Sequence, residues 1–139
     1  MAARMDDVAA RAVSGIRQLS LFCAVGATAA AVHYAVVLTL VPLGLAALLS
    51  NVVGFLTAFL VSYRGHSAWT FPSQPGRRRR AALRRFFSVA IAAFAVNETL
   101  FWALLTWTHL PYQLALALVL IVVAGGTFFA SKLWAFVDA

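Results

Sequence analysis

The stretch that decides the fold is LSLFCAVGATAAAVHYAVVLTLVPLGLAALLSNVVGFLTAFLVSY, residues 19–63, which contains no aspartate, glutamate, lysine or arginine. A helix needs about 18 or more mostly apolar residues to cross a hydrocarbon core of roughly 30 Å. The stretch supplies two such segments, 19–41 and 45–63, joined by a short connection around Pro42. It therefore predicts two membrane-spanning helices that form a hairpin.

The second half of the chain repeats this arrangement with apolar segments at 86–106 and 112–134. A shift of 65 residues superposes four pairs: Phe22 on Phe87, His33 on Glu98, Trp69 on Trp134 and Phe71 on Phe136. Each repeat contains an even number of spans, so both halves enter the membrane in the same direction. We expect an all-α membrane protein whose four transmembrane helices form two parallel-repeat hairpins, with repeats at about 19–71 and 84–136.

The composition supports an integral membrane protein and excludes a soluble domain. The chain has 139 residues, of which 63% are hydrophobic and 11% charged, with a mean hydropathy of +0.90. Four spans leave no room for a separate catalytic or receptor domain, so residues 19–139 are expected to form one transmembrane domain. Residues 1–18 have apolar positions at helical spacing and predict a short cytoplasmic helix in the membrane interface.

The basic residues predict the orientation, because cytoplasmic flanks of membrane helices are enriched in lysine and arginine. All 11 basic residues precede the first span, lie between the second and third, or end the fourth. The connections around Pro42 and at 107–112 have none. We therefore expect a multi-pass protein with both termini and the central loop in the cytoplasm.

The central loop, residues 64–85, is expected to be a linker, because Pro72, Pro75 and Gly76 would break a helix continuing from the second span. Its GRRRR run lies between two spans and is best explained by topology and by contact with anionic lipid headgroups. Specific binding of lipid phosphate is an alternative, and no nucleic-acid partner is expected.

Polar residues inside the spans predict a site. A charged carboxylate near the bilayer centre costs several kcal/mol, so Glu98 must face the bundle interior, a water-filled crevice or a partner chain. At about 1.5 Å per residue, Glu98 lies roughly 18 Å into the third span and His33 roughly 21 Å into the first. The matching depth predicts one shared site. The alternative is structural: Glu98 bonds His33 or Asn97 and fixes the register of the helices.

Small residues four positions apart recur in three spans and predict close helix packing. The pairs are Gly26 with Ala30, Gly54 with Ala58, and Gly126 with Ala130.

Four stretches of the chain share features with a known family. They read RQLSLFCAVGATAAAVHYAVV, LSNVVGFLTAFLVSYRGHSAWTF, RRFFSVAIAAFAVNETLFWALL and FFASKLWAF. The most specific features are the two Trp-x-Phe endings, the Asn51-x-x-Gly54 step and the Asn-Glu pair of the third span. Over residues 17–136 the chain resembles the GtrA-like family of small four-helix membrane proteins. One departure is Thr127, where many members have an asparagine.

The resemblance implies translocation of polyprenyl-phosphate-linked sugars across the cytoplasmic (inner) membrane, for later attachment to cell-surface polysaccharide. Some relatives instead anchor or accompany polyprenyl-phosphate glycosyltransferases. For such a substrate, the residues expected to contact the sugar along a polar path are Glu98, Asn97, His33, Asn51 and, by stacking, Trp102. Those expected to bind the phosphate at the cytoplasmic helix ends, where guanidinium groups match phosphate oxygens, are Arg17, Arg64, Arg85 and Lys132.

Three classes of function remain open from the sequence. The first is a flippase for the lipid-linked sugar, and the second is a non-transporting anchor that recruits a glycosyltransferase. The third is a small multidrug-type proton-coupled exporter, although that family's glutamate belongs in the first span, where this chain has His33. Without a nucleotide loop, metal cluster or nucleophile triad in the sequence, we expect no catalytic residues, cofactor or metal, and no enzyme. The limited interior of four helices predicts a homodimer.

Overall fold

The computed structural model describes the backbone of residues 2–65, 68 and 76–135, and the side chains of residues 16–17, 20–65, 68 and 87–127. Within these ranges the chain forms four helices and no strand, which confirms the predicted all-α fold. The helices are α1 (Ala2–Leu40), α2 (Ala47–Gly65), α3 (Gly76–Trp107) and α4 (Tyr112–Ala135).

Three helices contain segments that are long and apolar enough to cross a membrane, namely Ser20–Leu40, Ala47–Gly65 and Phe87–Trp107. Helix α4 has 24 residues, which at 1.5 Å per residue gives a length of about 36 Å. Its apolar part within the described side chains is Tyr112–Thr127. The first three segments coincide with the predicted 19–41, 45–63 and 86–106 to within two residues, and the extent of the fourth span stays a prediction. The direction in which they cross the membrane stays a prediction.

The turn between α1 and α2 is closed by a Schellman motif. Gly44 has a φ of 97°, in the left-handed region that favours glycine. Its N–H donates to the carbonyl of Val41 at 3.0 Å, and the N–H of Leu45 donates to Leu40 at 3.1 Å. The turn therefore satisfies carbonyl groups at the end of α1 that would otherwise lack partners inside a membrane.

The four helices pack as two hairpins. Contacts are most extensive between α1 and α2, followed by α3 and α4, and are much smaller between the hairpins. Helix α2 approaches α1 closely at its end, where a Cβ added to Gly65 would stand 2.8 Å from Cγ1 of Val25. This agrees with the predicted pair of hairpins.

The hydrophobic core occupies the half of the bundle that contains the two short turns. It consists of Val37 from α1, Phe101 from α3, and Ala115, Leu116 and Val119 from α4. A hydrogen bond from the hydroxyl of Tyr34 to the backbone oxygen of Gln113, at 3.3 Å, also joins the two hairpins in this half. The opposite half is less tightly filled and contains the crevice described below.

The N-terminal segment does not form a separate helix. Helix α1 runs without a break from Ala2 to Leu40, so residues 2–18 continue directly into the first span. The reason is that no proline occurs in this range, and backbone hydrogen bonding can therefore continue. The interfacial position of residues 2–18 stays a prediction.

The basic run lies on a helix and not in a loop. Helix α3 begins at Gly76, so the linker is shorter than the predicted 64–85 and comprises at most residues 66–75, most of which lie outside the described residues. The sequence GRRRRAALRR contains no helix breaker after Gly76, and arginine, alanine and leucine are strong helix formers. The arginines therefore extend the third membrane helix beyond its apolar part.

Candidate functional site

A buried amide, Asn51, connects three helices through hydrogen bonds. Nε2 of His33 in α1 donates to Oδ1 of Asn51 in α2 at 2.7 Å. Nδ2 of Asn51 donates to two acceptors in α3, Oδ1 of Asn97 at 2.7 Å and Oε2 of Glu98 at 2.6 Å. We call these four residues the polar network. It joins the two hairpins through polar contacts.

The direction of each hydrogen bond follows from the acceptors in α3. A carboxylate only accepts, so the NH2 side of the Asn51 amide must face Glu98. The amide oxygen of Asn51 then faces His33, which must therefore have its hydrogen on Nε2. Asn51 is fully buried and His33 and Asn97 nearly so, whereas Glu98 is half-buried. Among the described residues, no buried side-chain nitrogen or oxygen lacks a hydrogen-bond partner.

Gly54 makes room for the histidine of the network. It lies one turn after Asn51 on the same face of α2, and both residues are buried. A Cβ added to Gly54 would stand 2.5 Å from Cδ2 of His33 and 3.0 Å from the backbone oxygen of His33. The Asn51-x-x-Gly54 step thus has two parts: an amide that bonds the imidazole, and a gap that admits it.

We expect Gly54→Ala to destabilise the protein, because the new methyl group would push against the α1 backbone and separate His33 from Asn51. Overpacking of this kind costs roughly 1–3 kcal/mol. Thermal unfolding in detergent measures the effect. The matched control is Gly26→Ala, where an added Cβ would meet nothing within 4 Å, and which should be neutral or stabilising. Equal stability of the two variants would contradict the close approach at Gly54.

Beside the polar network lies a crevice with a volume of about 450 Å³, lined by all four helices. It occupies the half of the bundle that the predicted orientation places toward the cytoplasm, and His33 is its polar group nearest the bilayer centre. Half of its lining residues are glycine or alanine: Gly26, Ala27, Ala29, Ala30, Ala58, Ala90, Ala93 and Ala124. The volume lies within the range of roughly 300–1,000 Å³ that is typical of small-molecule sites.

Aromatic rings form one wall of the crevice, at the contact between α2 and α3. Phe55 stacks on Phe94 with ring centroids 4.3 Å apart, and Phe59 meets Phe87 edge-on at 5.7 Å. Phe55 and Phe59 also line the crevice. Aromatic faces can pack against the apolar faces of sugar rings and against lipid chains.

Of the residues predicted to contact the sugar, the structure brings four together. His33, Asn97 and Glu98 all bond Asn51, so the two ionisable groups predicted to share a site meet at one amide. The structural alternative named a direct bond from Glu98 to His33 or Asn97, whereas here Asn51 links them. The role of the four residues in binding sugar stays a prediction.

Trp102 lies apart from these four residues, and its predicted contact with the sugar stays a prediction. Its side chain is 45% exposed on the bundle surface and meets the ring of Trp107 edge-on at 5.5 Å. Trp102 does not line the crevice. It directly follows the buried Phe101, so it projects about 100° away from the buried face of α3.

Neither of the predicted phosphate-binding residues whose side chains are described, Arg17 and Arg64, lines the crevice. Arg17 is exposed, and Arg64 lines a second groove of about 460 Å³ on the other side of the α1–α2 pair, together with Thr28. The side chains of Arg85 and Lys132 lie outside the described residues. Phosphate binding by these four residues therefore stays a prediction.

The small residues of the spans have two different roles. The prediction of close packing is confirmed at Gly54. An added Cβ at Gly26 or Gly126, however, would meet nothing within 4 Å among the described atoms. Gly26 and Ala30 instead line the crevice, as does Ala58. The sequence signal for the crevice was thus present as small residues at helical spacing, but it was interpreted as packing.

Ser62 and Thr127 also line the crevice and were not predicted to contact substrate. The hydroxyl of Thr127 donates to the backbone oxygen of Val123 at 2.7 Å, which leaves its oxygen available as an acceptor. Thr127 was singled out in the sequence only as a departure from the family pattern. Thr127 thus lies in the same crevice as His33.

Comparison with known proteins identifies a family. The family model described as GtrA/DPMS, transmembrane domain, matches residues 21–136, which is most of the chain. No curated protein and no solved structure matches the chain. The predicted resemblance to GtrA-like proteins is confirmed. The chain is therefore a multi-pass membrane protein that belongs to the GtrA/DPMS family, with a membrane function related to polyprenyl-phosphate sugars.

Proposed function

We propose that the protein transfers a polyprenyl-phosphate-linked monosaccharide across the cytoplasmic membrane, for use in glycosylation of cell-surface polysaccharide. The observation that supports this most directly is the crevice between the two hairpins, which ends at the polar network within otherwise apolar helices. Ionisable residues inside membrane spans are rare and generally mark substrate pathways.

The chemical difficulty of such a transfer lies in the headgroup. The prenyl chain is stable among lipid tails, whereas sugar hydroxyls and a phosphate lose hydrogen bonds to water on entering the bilayer. A crevice that offers hydrogen-bonding groups at mid-depth lowers this cost, while the chain stays in the lipid. Cys23 and Val89 line the crevice and are exposed on the bundle surface, so a lateral opening for the chain is available.

Transfer by this route needs no separate energy source. A donor made at the cytoplasmic face and consumed on the other side moves down its own concentration gradient. We therefore propose passive translocation, with the direction set by consumption of the sugar.

Filling the crevice should stop transfer. Ala93 lines the crevice wall, so Ala93→Phe places a ring in the proposed path, and we expect transfer of labelled polyprenyl-phosphoryl-sugar in sealed vesicles to fall at least about ten-fold, equivalent to about 1.4 kcal/mol. The matched control is Ala95→Phe, on the same helix but at an exposed position outside the crevice, which should transfer as the wild type does. Equal transfer by both variants would contradict a path through the crevice.

One specific observation favours a second function. The matched family is described as a transmembrane domain, with no activity in its description, and such a domain can serve as a membrane anchor. We propose as the alternative that the protein recruits a polyprenyl-phosphate glycosyltransferase without transporting. In that case transfer would equal that of protein-free vesicles for every variant, and the protein would co-purify with the glycosyltransferase.

The crevice also bears on the expected homodimer. A second copy was predicted because four helices leave a limited interior, but the helices of a single chain enclose about 450 Å³. The proposed transfer therefore does not require a dimer to form its site.

A further inference from the structure

The polar network determines which kind of hydrogen bond His33 can offer to the crevice. Glu98 accepts from Asn51, so Asn51 presents its oxygen to His33, and His33 donates through Nε2. A neutral imidazole with its hydrogen on Nε2 has an acceptor lone pair on Nδ1. The carboxylate in α3 thus makes Nδ1 of His33 an acceptor through Asn51, although no hydrogen bond joins Glu98 to His33 directly.

Nδ1 of His33 lies on the side of the imidazole away from Cδ2, the atom that faces Gly54. The bond to Asn51 is the hydrogen bond that the structure gives the His33 ring, and no buried side-chain nitrogen or oxygen within the described residues lacks a partner. Nδ1 is therefore not sealed among apolar atoms, and His33 lines the crevice at its polar end. On its other side the ring rests against Gly54.

We infer that Nδ1 of His33 accepts a hydrogen bond from a sugar hydroxyl, so that the crevice selects the sugar part of the lipid headgroup and not its phosphate. The phosphodiester that links a sugar to a prenyl chain has acceptor oxygens and no hydrogen to donate, so it cannot satisfy an acceptor. Sugar hydroxyls can donate. The headgroup then lies with its sugar toward the polar network and its phosphate toward the end of the crevice that is nearer the predicted cytoplasmic side.

This inference rests on the proposed function for the class of ligand, but it concerns binding and not transfer. It makes His33 a specificity-determining residue. Glu98 acts indirectly, as a positioning residue: its carboxylate orients the amide of Asn51, and that amide sets which nitrogen of His33 donates.

The test compares two probes bound to the protein in nanodiscs: a short-chain prenyl-phosphoryl-hexose, and the same prenyl phosphate carrying a methyl ester in place of the sugar, which is also a phosphodiester and is called prenyl phosphate below. We expect the wild type to bind the hexose conjugate about ten-fold more tightly, and His33→Phe to bind both probes equally, with its affinity for prenyl phosphate unchanged within about two-fold. His33→Gln, whose amide can donate to Asn51 and accept from the sugar, should restore part of the preference.

A series of deoxy-hexose conjugates makes the test independent of folding defects in the variants. Removal of one particular hydroxyl should weaken binding to the wild type about ten-fold and should not affect binding to His33→Phe, as in a double-mutant cycle. Thr28→Val, which changes a polar residue in the second groove, should keep the wild-type preference.

Two results would overturn the inference. One is an unchanged preference for the hexose conjugate in a folded His33→Phe protein. The other is a loss of affinity for prenyl phosphate itself in that variant, which would mean that His33 binds the phosphate as a cation. Failure of the proposed transfer looks different: the preference and its dependence on His33 would persist, while vesicles containing the protein transfer no lipid-linked sugar.

Discussion

Asn51→Leu should destabilise the protein more than any other single change in the polar network. Leucine is similar in size but makes no hydrogen bond, so the Nε2–H of His33, the amide oxygen of Asn97 and the carboxylate of Glu98 would each lose a partner. Each unmet buried group costs roughly 1–3 kcal/mol, and the network also joins the two hairpins, whose helices contact each other less extensively than the helices within a hairpin do. The free energy of unfolding in mixed micelles measures the loss.

The control for this change is Thr57→Val on the same helix. The hydroxyl of Thr57 bonds only the backbone oxygen of Val53 in its own helix, at 2.9 Å, so its removal should alter stability by less than about 0.5 kcal/mol. Replacement of buried polar groups by apolar ones sometimes stabilises a protein. Equal or greater stability of Asn51→Leu would therefore show that the network does not hold the helices together.

Glu98→Leu should abolish transfer of the lipid-linked sugar. It removes the acceptor that orients Asn51, and through Asn51 the imidazole of His33, and it takes the half-buried carboxylate out of the polar path. Glu98→Gln keeps an oxygen that can accept from Asn51 but removes the charge, so this variant should fold normally and transfer more slowly than the wild type. Transfer in sealed vesicles and thermal stability should be measured on both variants.

The two measurements separate a functional role from a structural one. If the carboxylate only fixes the helix register, Glu98→Leu should lose stability and His33→Ala should lose it too. Normal transfer by a stable Glu98→Leu protein would remove the carboxylate from the mechanism and would favour the anchor over the flippase.

Most of the fold was predictable because hydropathy alone marks membrane helices. Long apolar segments such as 19–41 and 45–63 can satisfy their backbone in lipid only as helices, which leaves few alternatives. The errors occurred where hydropathy gives no signal. The basic residues after Gly76 are polar and also good helix formers, so charge suggested a loop where helix propensity continued the helix.

The depth of the site residues along their helices was predictable from the sequence, but the rotation of the helices about their axes was not. Counting residues placed His33 and Glu98 at one level, and the structure joins them through Asn51. Which face of α3 points inward depends on its packing against other helices, so counting residues could not show that the side chain of Trp102 is exposed.

Burial also changes how the two repeats should be aligned. The sequence repeat pairs His33 with Glu98, whereas the buried faces of α1 and α3 pair His33 with Asn97 and Val37 with Phe101. A shift of one residue rotates a helix by about 100°. For α1 and α3 the sequence match and the buried faces therefore differ by one position, and the carboxylate of Glu98 lies beside the residue that is equivalent by burial to His33. The buried residues of α2 and α4 keep the 65-residue shift: Ser50, Asn51 and Gly54 correspond to Ala115, Leu116 and Val119.

The division of the polar network between the hairpins has a consequence for biogenesis. Helices α1 and α2 emerge from the ribosome first, and their own bond, from His33 to Asn51, can form as soon as both are in the membrane. The amide hydrogens of Asn51 then have no acceptor until α3 delivers Asn97 and Glu98. A chain that ends before α3 thus differs from a finished one by unpaired amide hydrogens in hydrocarbon, a defect that completion of synthesis removes.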